Sequence, residues 1–514
     1  MSRTRKRRRG TAVKSAPKTP YLSTPKGQMR NPWPAYEIAS EAQIEEIHNA
    51  SMHILENTGM RFLDDEAMDL WQKAGAKVDM VNSHVWPDRG LLMELVGKAP
   101  SGFNFRARNP QNSRYIGGNA INCFANAGMV FTTDLRRGRR PGTKEDYLIL
   151  AKLTQMTNGI DIGPLQSVVM HDVPVHEKHL ENYYVGTVYS DKPMLGVSHG
   201  RIIVGDVIDM AKIIHGQDLK PEEGAVTGGI INVNSPLVYD DRMLGGMITF
   251  AKHGQFTVVT PFILAGAMSP VTIAAALAQQ NAEALAGIAL LQLVNPGSPV
   301  IYGGFTTNVD MKSGAPAFGT PEGAWALFIG AQLARKYDVP YRGSGALNMA
   351  NEPDAQAASE SMWSLWPCIL SHTNYIAHTT GWLEGGLTVS LEKFVMDAEN
   401  LAMMQHFLKG PEFTEDAFAL DYIDEVGPAG HHFGTEHTQR RYADAFYPPF
   451  LADRRNFGTW QEAGSEDIVQ RAHKLWQLIV KEYQKPAMDT AVHEALQEYI
   501  AKRAKELENV ELYD

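Results

Sequence analysis

The chain has 514 residues, 44% of them apolar and 21% charged, an ordinary globular composition with room for one large domain with appendages or two to three smaller ones. Its cysteines, Cys123 and Cys368, stand far apart and in no CxxC pairing, which excludes a disulfide framework and a cysteine metal site and fits a reducing, cytoplasmic setting. The most apolar segment, 270–294, is broken by QQNAE and leaves no span of about 18 to 20 apolar residues, so no membrane crossing is predicted.

The opening MSRTRKRRRG carries six Lys or Arg and runs into Pro, Ser and Thr rather than an apolar stretch with a cleavage site, so it does not read as an export signal. Residues 1–35 read as a disordered basic arm, and polyanion contact and simple solubilisation both fit such a charge run. Taking those six from the 48 basic residues leaves 42 against 58 acidic ones, and a body so acidic is not expected to bind nucleic acid. An N-terminal helical extension is assigned to 36–128. There Ser40 and Gln43 form a capping-box pair ahead of Ile44, Ile47, Ile54 and Leu55, with Gly59 suited to the helix end. Two further helices are predicted from Asp65 to about Ala74 and near 90–97.

From 129 to 410 short apolar runs alternate with helical segments. The predicted strands begin at MVFTTD (129), GIDIGPLQSVV (159), PMLGVSH (193), AVTGGIINV (225), FTVVTPF (256), PVIYGGFT (299), VPYRGSGAL (339) and NYIAHTTGWL (374). Strand and helix alternating at roughly 30 to 40 residues imply parallel pairing through right-handed crossovers. About eight such units favour an α/β fold of the TIM (β/α)8 barrel type over an open doubly wound sheet, because closure leaves no edge strand. Residues 411–514 read as a C-terminal loop and helical cap, whose helices, 466–484 and 489–508, are amphipathic enough to cover the barrel or to pair with another subunit. Neither GxGxxG nor GxxxxGK[ST] follows a strand, so no nucleotide phosphate cradle is supported.

A barrel places its site at the carboxyl ends of the strands. Those ends offer His199, Asn232, Asn234, Thr260, Phe262, Tyr302, Phe305, Asn308 and Asp310, then Arg342, Ser344, Asn348, Asn351, Glu352, Asp354 and Gln356, then His378, Trp382 and Glu384. Amides and aromatics dominate this set, and nucleophiles are few. No HExxH and no nucleophile elbow is present; RGSGA (342–346) lacks the GxSxG spacing. His431, His432 and His437 of GHHFGTEH are conceivable metal ligands, but a polar loop after the barrel is the plainer reading, and no metal site is assigned.

Trp382 stands between a His and a Glu in HTTGWLEGG, beside residues too small or polar to bury much. An indole face attracts a cation, and quaternary ammonium groups are recognised chiefly in that way. The substrate-binding set expected is Trp382, Phe305, Tyr302, Arg342, His378, Glu384, Asn308 and Gln356. Glu384 is either a counter-charge or the cap of the next helix; Arg342 is the candidate to hold a substrate carboxylate, with an ordinary ion pair as the alternative. Trp363 and Trp366, at i and i+3, read as helix-packing residues.

Several stretches carry a family resemblance: FRARNP (105–110), DLRRGRRPGT (134–143), INVNSPL (231–237), TVVTPFILAGAMSPVTIAAALAQQNAEALAG (257–287), YGGFTTNVDMKSGAPAFGTPE (302–322), DAQAASE (354–360), HTTGWLEGGLTVSLEKFVMDAE (378–399) and EVGPAGHHFGTEHT (425–438). In these the chain resembles the trimethylamine methyltransferase family from about residue 35 onward. The resemblance implies a TIM-barrel enzyme that moves a methyl group from a methylated amine to the cobalt of a corrinoid carried by a separate protein. A homo-oligomer is also expected. Archaeal members carry pyrrolysine, whose counterpart falls loosely within NMANEPDAQ (348–356); here that segment holds only standard residues. A quaternary amine already has the fourth bond that activates its methyl carbon, so alignment, cation binding and desolvation suffice, and no catalytic acid or base is assigned. Glycine betaine or a similar betaine is the expected methyl donor. Trimethylamine or another methylamine, a different barrel chemistry with Asp310, Glu352 or His378 as base, and a betaine-binding protein without catalysis are the alternatives.

Overall fold

The computed structural model describes residues 27–512. Of the expected basic arm, residues 1–26 lie outside the described residues. The remainder is not an arm: Met29–Arg30 pairs antiparallel with Ala120–Ile121, and the Asn31 amide donates to the Ile369 carbonyl at 2.8 Å.

The capping box of Ser40 and Gln43 opens the helix Glu41–His53, and helices Asp65–Lys73 and Arg89–Val96 follow, each behind an Asp that accepts from the first-turn N–H groups. The front end is nevertheless mixed rather than purely helical. Met60–Phe62, His84–Trp86 and Lys77–Asp79 form a small antiparallel sheet, and Gly102–Phe105 pairs with Arg114–Gly117. Strands of three or four residues are too short for a period-2 pattern to announce them.

The centre is a curled sheet of parallel strands in the order Gly228–Val233, Phe256–Ala265, Val300–Gly303, Tyr341–Ser344, Tyr375–Ala377 and Ala120–Cys123. Helices Asp241–Lys252, Ile273–Val294, Pro321–Lys336 and Ala355–Leu370 connect the first five, as parallel neighbours require. The last place corrects an expectation: it is taken by AINC and not by MVFTTD. Phe131–Thr133 instead pairs with Thr388–Ser390 and Arg140–Pro141 in a separate four-stranded sheet that also holds Trp382–Leu383. Four wholly buried residues carry no alternation, whereas the β-branched run at 129 looked the better strand.

The segments predicted at 159 and 193 form no regular strand. They continue the sheet through separate backbone bonds: Asp161 and Ile162 donate to Cys123 O at 2.8 and 3.2 Å, Gly163 to Pro193 O at 2.8 Å, and Gly196 to Gly228 O at 2.8 Å. Pro164 and Pro193, with no N–H to give, interrupt the ladder there.

Ile273–Val294 is apolar on nearly every side because it lies between the strand Phe256–Ala265 and the front-end helices Glu41–His53 and Arg89–Val96. The C-terminal helices pack on the body: Ile468–Glu482 against Leu391–Phe407 and Lys144–Met156, and Thr490–Leu507 against Arg201–His215 and Lys178–Tyr189. Among the described residues, no helix is long and apolar enough to cross a membrane.

Candidate active site

Residues within the strands of the curled sheet and in the segments that follow them line an open cavity of about 340 Å³, within the range of small-ligand sites. Ser198, His199, Asn232, Phe262, Phe305, Arg342, His378 and Trp382 line it, joined by Gln166 and Phe318. Four of the eight expected substrate-binding residues therefore converge: Trp382, Phe305, Arg342 and His378.

The wall is aromatic. Phe305 has its ring centroid 5.0 Å from Phe262, 5.7 Å from Phe318 and 5.5 Å from His378. Trp382 meets Phe318 edge-on at 5.6 Å and His378 at 4.5 Å. Local sequence fixes the indole. Its Nε1 donates to Asn348 O at 3.1 Å, and Asn348 Nδ2 donates back to Trp382 O at 2.6 Å. The preceding Gly381 N–H donates at 2.8 Å to Asp397, which pairs with Lys393 at 2.7 Å inside the helix Leu391–Phe407. Gly386 explains the glycines of the motif: a Cβ there would lie 2.6 Å from the Trp382 ring, so only glycine lets the turn close on the indole.

The electrostatics are one-sided. Arg342 is 2% exposed, its Nη1 donates to Gly304 O at 3.1 Å, its guanidinium lies 4.8 Å over the Phe305 ring, and its Nε finds no partner among the described residues. Burial lowers its pKa to about 10, which still leaves it charged at neutral pH. Among the described residues, no Asp or Glu lines the cavity and no carboxylate pairs with Arg342. The ordinary ion pair weighed from sequence is thus absent, and a buried cation without an anion is costly until one arrives. Burial, with the Arg342 charge adding to it, holds the His378 imidazole well below its usual range, so it is neutral at pH 7 and bonded through Nδ1 to Ser344 Oγ at 3.2 Å. Burial likewise lowers the pKa of His199.

The other four expected residues lie elsewhere. Tyr302 faces outward, between sheet and helix, with its hydroxyl donating to Asn281 Oδ1 at 3.1 Å. The cause is parity: side chains alternate along Val300–Gly303, and the position next to the strand end falls on the helix-facing side. Asn308 accepts from Thr320 Oγ1 at 3.1 Å within a hairpin, and Gln356 is exposed and donates to Glu360 at 2.9 Å. Glu384 is neither counter-charge nor helix cap: Arg139 holds its carboxylate at 2.8 and 2.9 Å. His431, His432 and His437 lie in the segment after Gly410, outside the cavity, as do Asp310 and Glu352.

Phe318 and Gln166 were missed. Phe318 follows Pro316–Ala317, which pairs with Asn308–Val309 and folds the ring back onto Phe305; the signal is a pairing between residues and not a strand end. Gln166 lies just past the 160–163 segment at φ 41°, and an irregular segment gives no end to read.

The family model described as trimethylamine methyltransferase (MTTB) matches residues 2–508. A glycine betaine methyltransferase of Desulfitobacterium hafniense (strain Y51) is 38% identical over 474 residues, covering 92% of this chain and 98% of that protein. The trimethylamine methyltransferase MttB of Desulfitobacterium hafniense (strain DSM 10664 / DCB-2) is 28% identical, covering 86% of this chain and 89% of its own. The solved hydroxylamine complex of MtmB aligns with a TM-score of 0.46 at 11% identity, over 92% of this chain and 94% of that one. With the family model spanning nearly its whole length, this chain belongs to the trimethylamine methyltransferase family.

Proposed function

We propose that the chain transfers a methyl group from a quaternary amine that also bears a carboxylate, glycine betaine or a near analogue, to a corrinoid carried by a separate protein. One observation carries the substrate class: the cavity combines aromatic walls with a single buried guanidinium that lacks an anion. A trimethylammonium group suits the faces of Trp382, Phe305 and Phe318, where a desolvated cation gains about 2 kcal/mol. A carboxylate suits Arg342. Choline or a protonated amine would bring a second positive charge into a wall with no carboxylate, whereas a betaine brings no net charge. The 38% identical relative named for glycine betaine supports the same reading.

A reduced corrinoid supplies the nucleophile. The cavity of about 340 Å³ fits a small amine and not a corrin ring, so in this reading the corrinoid stays with its own protein at the mouth. This chain binds the donor, orients one methyl group toward the opening and excludes water. As the C–N bond breaks the nitrogen becomes a neutral tertiary amine, so no proton is needed, and a neutral His378 is consistent with that. The Arg342 charge also disfavours the cationic donor relative to the neutral departing amine.

For the fold, we read the six parallel strands and the segments near 162 and 194 as a closed (β/α)8 barrel entered at Ala120. The support is the run of backbone bonds from Cys123 through 161–163, 193–196 and Gly228.

The test is methyl transfer to reduced cobalamin, alone and on a corrinoid protein, followed spectrally with glycine betaine, choline, carnitine and trimethylamine supplied separately. Turnover with a carboxylated quaternary amine and not with choline or trimethylamine is expected. Preference for choline or trimethylamine would overturn the assignment.

A further inference from the structure

We propose that the chain pairs with a second copy of itself by placing the arm 411–446 in an apolar groove on that copy's flank, each copy giving one arm and receiving one. The arm leaves the body after Gly410 and returns at Phe450, Leu451 and Ala452, whose N–H groups donate to the Glu399 carboxylate at 2.8, 3.0 and 2.8 Å. Its two ends are neighbours, with the His406 and Tyr447 rings 5.7 Å apart. Among the described residues, the hydrogen bonds and ion pairs of 412–446 all stay within the segment. Arg440 and Arg441 bind Asp416 and Glu412, fastening the helix Glu436–Arg441 to the start of the arm. The arm therefore holds its own shape while showing Phe413, Phe418, Leu420, Ile423, Phe433 and Phe446 to solvent, the last two 80% exposed. So dense an apolar display on an ordered segment marks an interface.

The groove lies between helices Pro321–Lys336 and Ala355–Leu370. Trp325, Phe328, Met362, Trp363 and Trp366 line about 670 Å³ of it, and Trp325 and Trp363 remain 50% and 52% exposed. Its own arm does not fill it. Arm and groove nevertheless adjoin: Phe407, at the root of the arm, meets Trp366 edge-on at 5.2 Å and Trp33 at 5.1 Å. An insertion element and its receptor side by side on one chain are what a two-fold, self-complementary interface requires, which argues for a second copy over an unrelated partner.

The root of the arm is set apart from the cavity along its helix. Leu391–Phe407 starts directly after Thr388–Ser390, the strand paired with Trp382, and its 17 residues carry the chain roughly 25 Å away before the arm begins.

The experiment is light scattering on the full chain after size separation, across a dilution series. An even-numbered assembly is expected. Trp363→Glu in the groove, and separately Phe433→Ser with Phe446→Ser in the arm, should each raise the dissociation constant at least tenfold. Mixing the two variants should restore pairs, since such a pair keeps one intact joint of the two. The arm positions are solvent-facing, so circular dichroism and Tm of that variant should match the parent, which keeps the test meaningful if Trp363→Glu misfolds. A monomeric parent chain, an assembly indifferent to the arm variant, or a parent that associates only with a different protein would each overturn the proposal.

Discussion

Arg342 gathers the site's chemistry into one side chain, because its guanidinium is buried, charged and without an acid to answer it. Arg342→Met keeps a long unbranched side chain and removes the charge over Phe305. Since hydrogen bonds to charged groups contribute about 1.5–3 kcal/mol, calorimetric affinity for glycine betaine should fall roughly 10- to 150-fold, while choline binding holds or improves. Equal losses for both ligands would contradict a carboxylate at Arg342. Trp382→Leu should weaken both ligands alike, by about tenfold or more, because the trimethylammonium group is common to them. His378 gives a pH signature whose sign is fixed by burial. Its folded pKa lies well below 6.5, where the unfolded side chain titrates, so the unfolded state takes up the extra proton as the solution is acidified. Its contribution is intact above pH 6.5 and is lost as pH falls below it, by up to about 1.4 kcal/mol per pH unit. Denaturant unfolding of His378→Gln should accordingly show a shallower acid loss than the parent between pH 7.5 and 5.5; parallel curves would show that His378 is not the group held neutral.

Trp382 is held by an element and not by its neighbours alone. The pair of Lys393 and Asp397 is buried in Leu391–Phe407, and Asp397 also accepts the Gly381 N–H at the start of the turn. Breaking such a pair from one side costs about 3–5 kcal/mol, so Lys393→Met should lower Tm, and the turn it supports should lose the near-ultraviolet dichroism of a fixed indole. Unchanged dichroism would show that the hydrogen bonds to Asn348 position the ring by themselves. Helix starts were the most legible elements in the sequence. Ser40 with Gln43, and the Asp before each of the next two helices, are contiguous signals that use only local geometry. Short strands were the least legible, because Ala120–Cys123 owes its place to Met29–Arg30 on one side and Tyr375–Ala377 on the other, both distant in sequence.

On the scale of the whole molecule, the C-terminal helix Thr490–Leu507 is stitched to the body at one carboxylate. Asp206 accepts from His179 at 2.8 Å, from the Tyr499 hydroxyl at 2.8 Å and from Arg503 at 2.6 Å. Removing that shared acceptor with Asp206→Ala takes the partner from His179 and Tyr499 and leaves Arg503 only Glu506, and should destabilise the chain by about 3 kcal/mol, read in denaturant unfolding, with betaine affinity unchanged because the cavity is elsewhere. A loss of affinity without a loss of stability would mean that this helix shapes the site.

The sequence by itself determined what contiguous residues can encode: the alternation of strand and helix, the caps, the excess of acidic over basic residues, the indole flanked by glycines, and the motifs that mark the family. Strand ends read from that alternation were enough to bring Trp382, Phe305, Arg342 and His378 onto one list. Only the tertiary structure decided which of the listed residues face one another. Parity within a strand is readable, but the face it presents to the helices depends on packing, and so Tyr302 turned away. Pairing is non-local, so Phe318 entered the cavity through a hairpin and Glu384 was drawn off by Arg139. The absence of an acid beside Arg342 is a property of everything packed around it, and no stretch of sequence contains it.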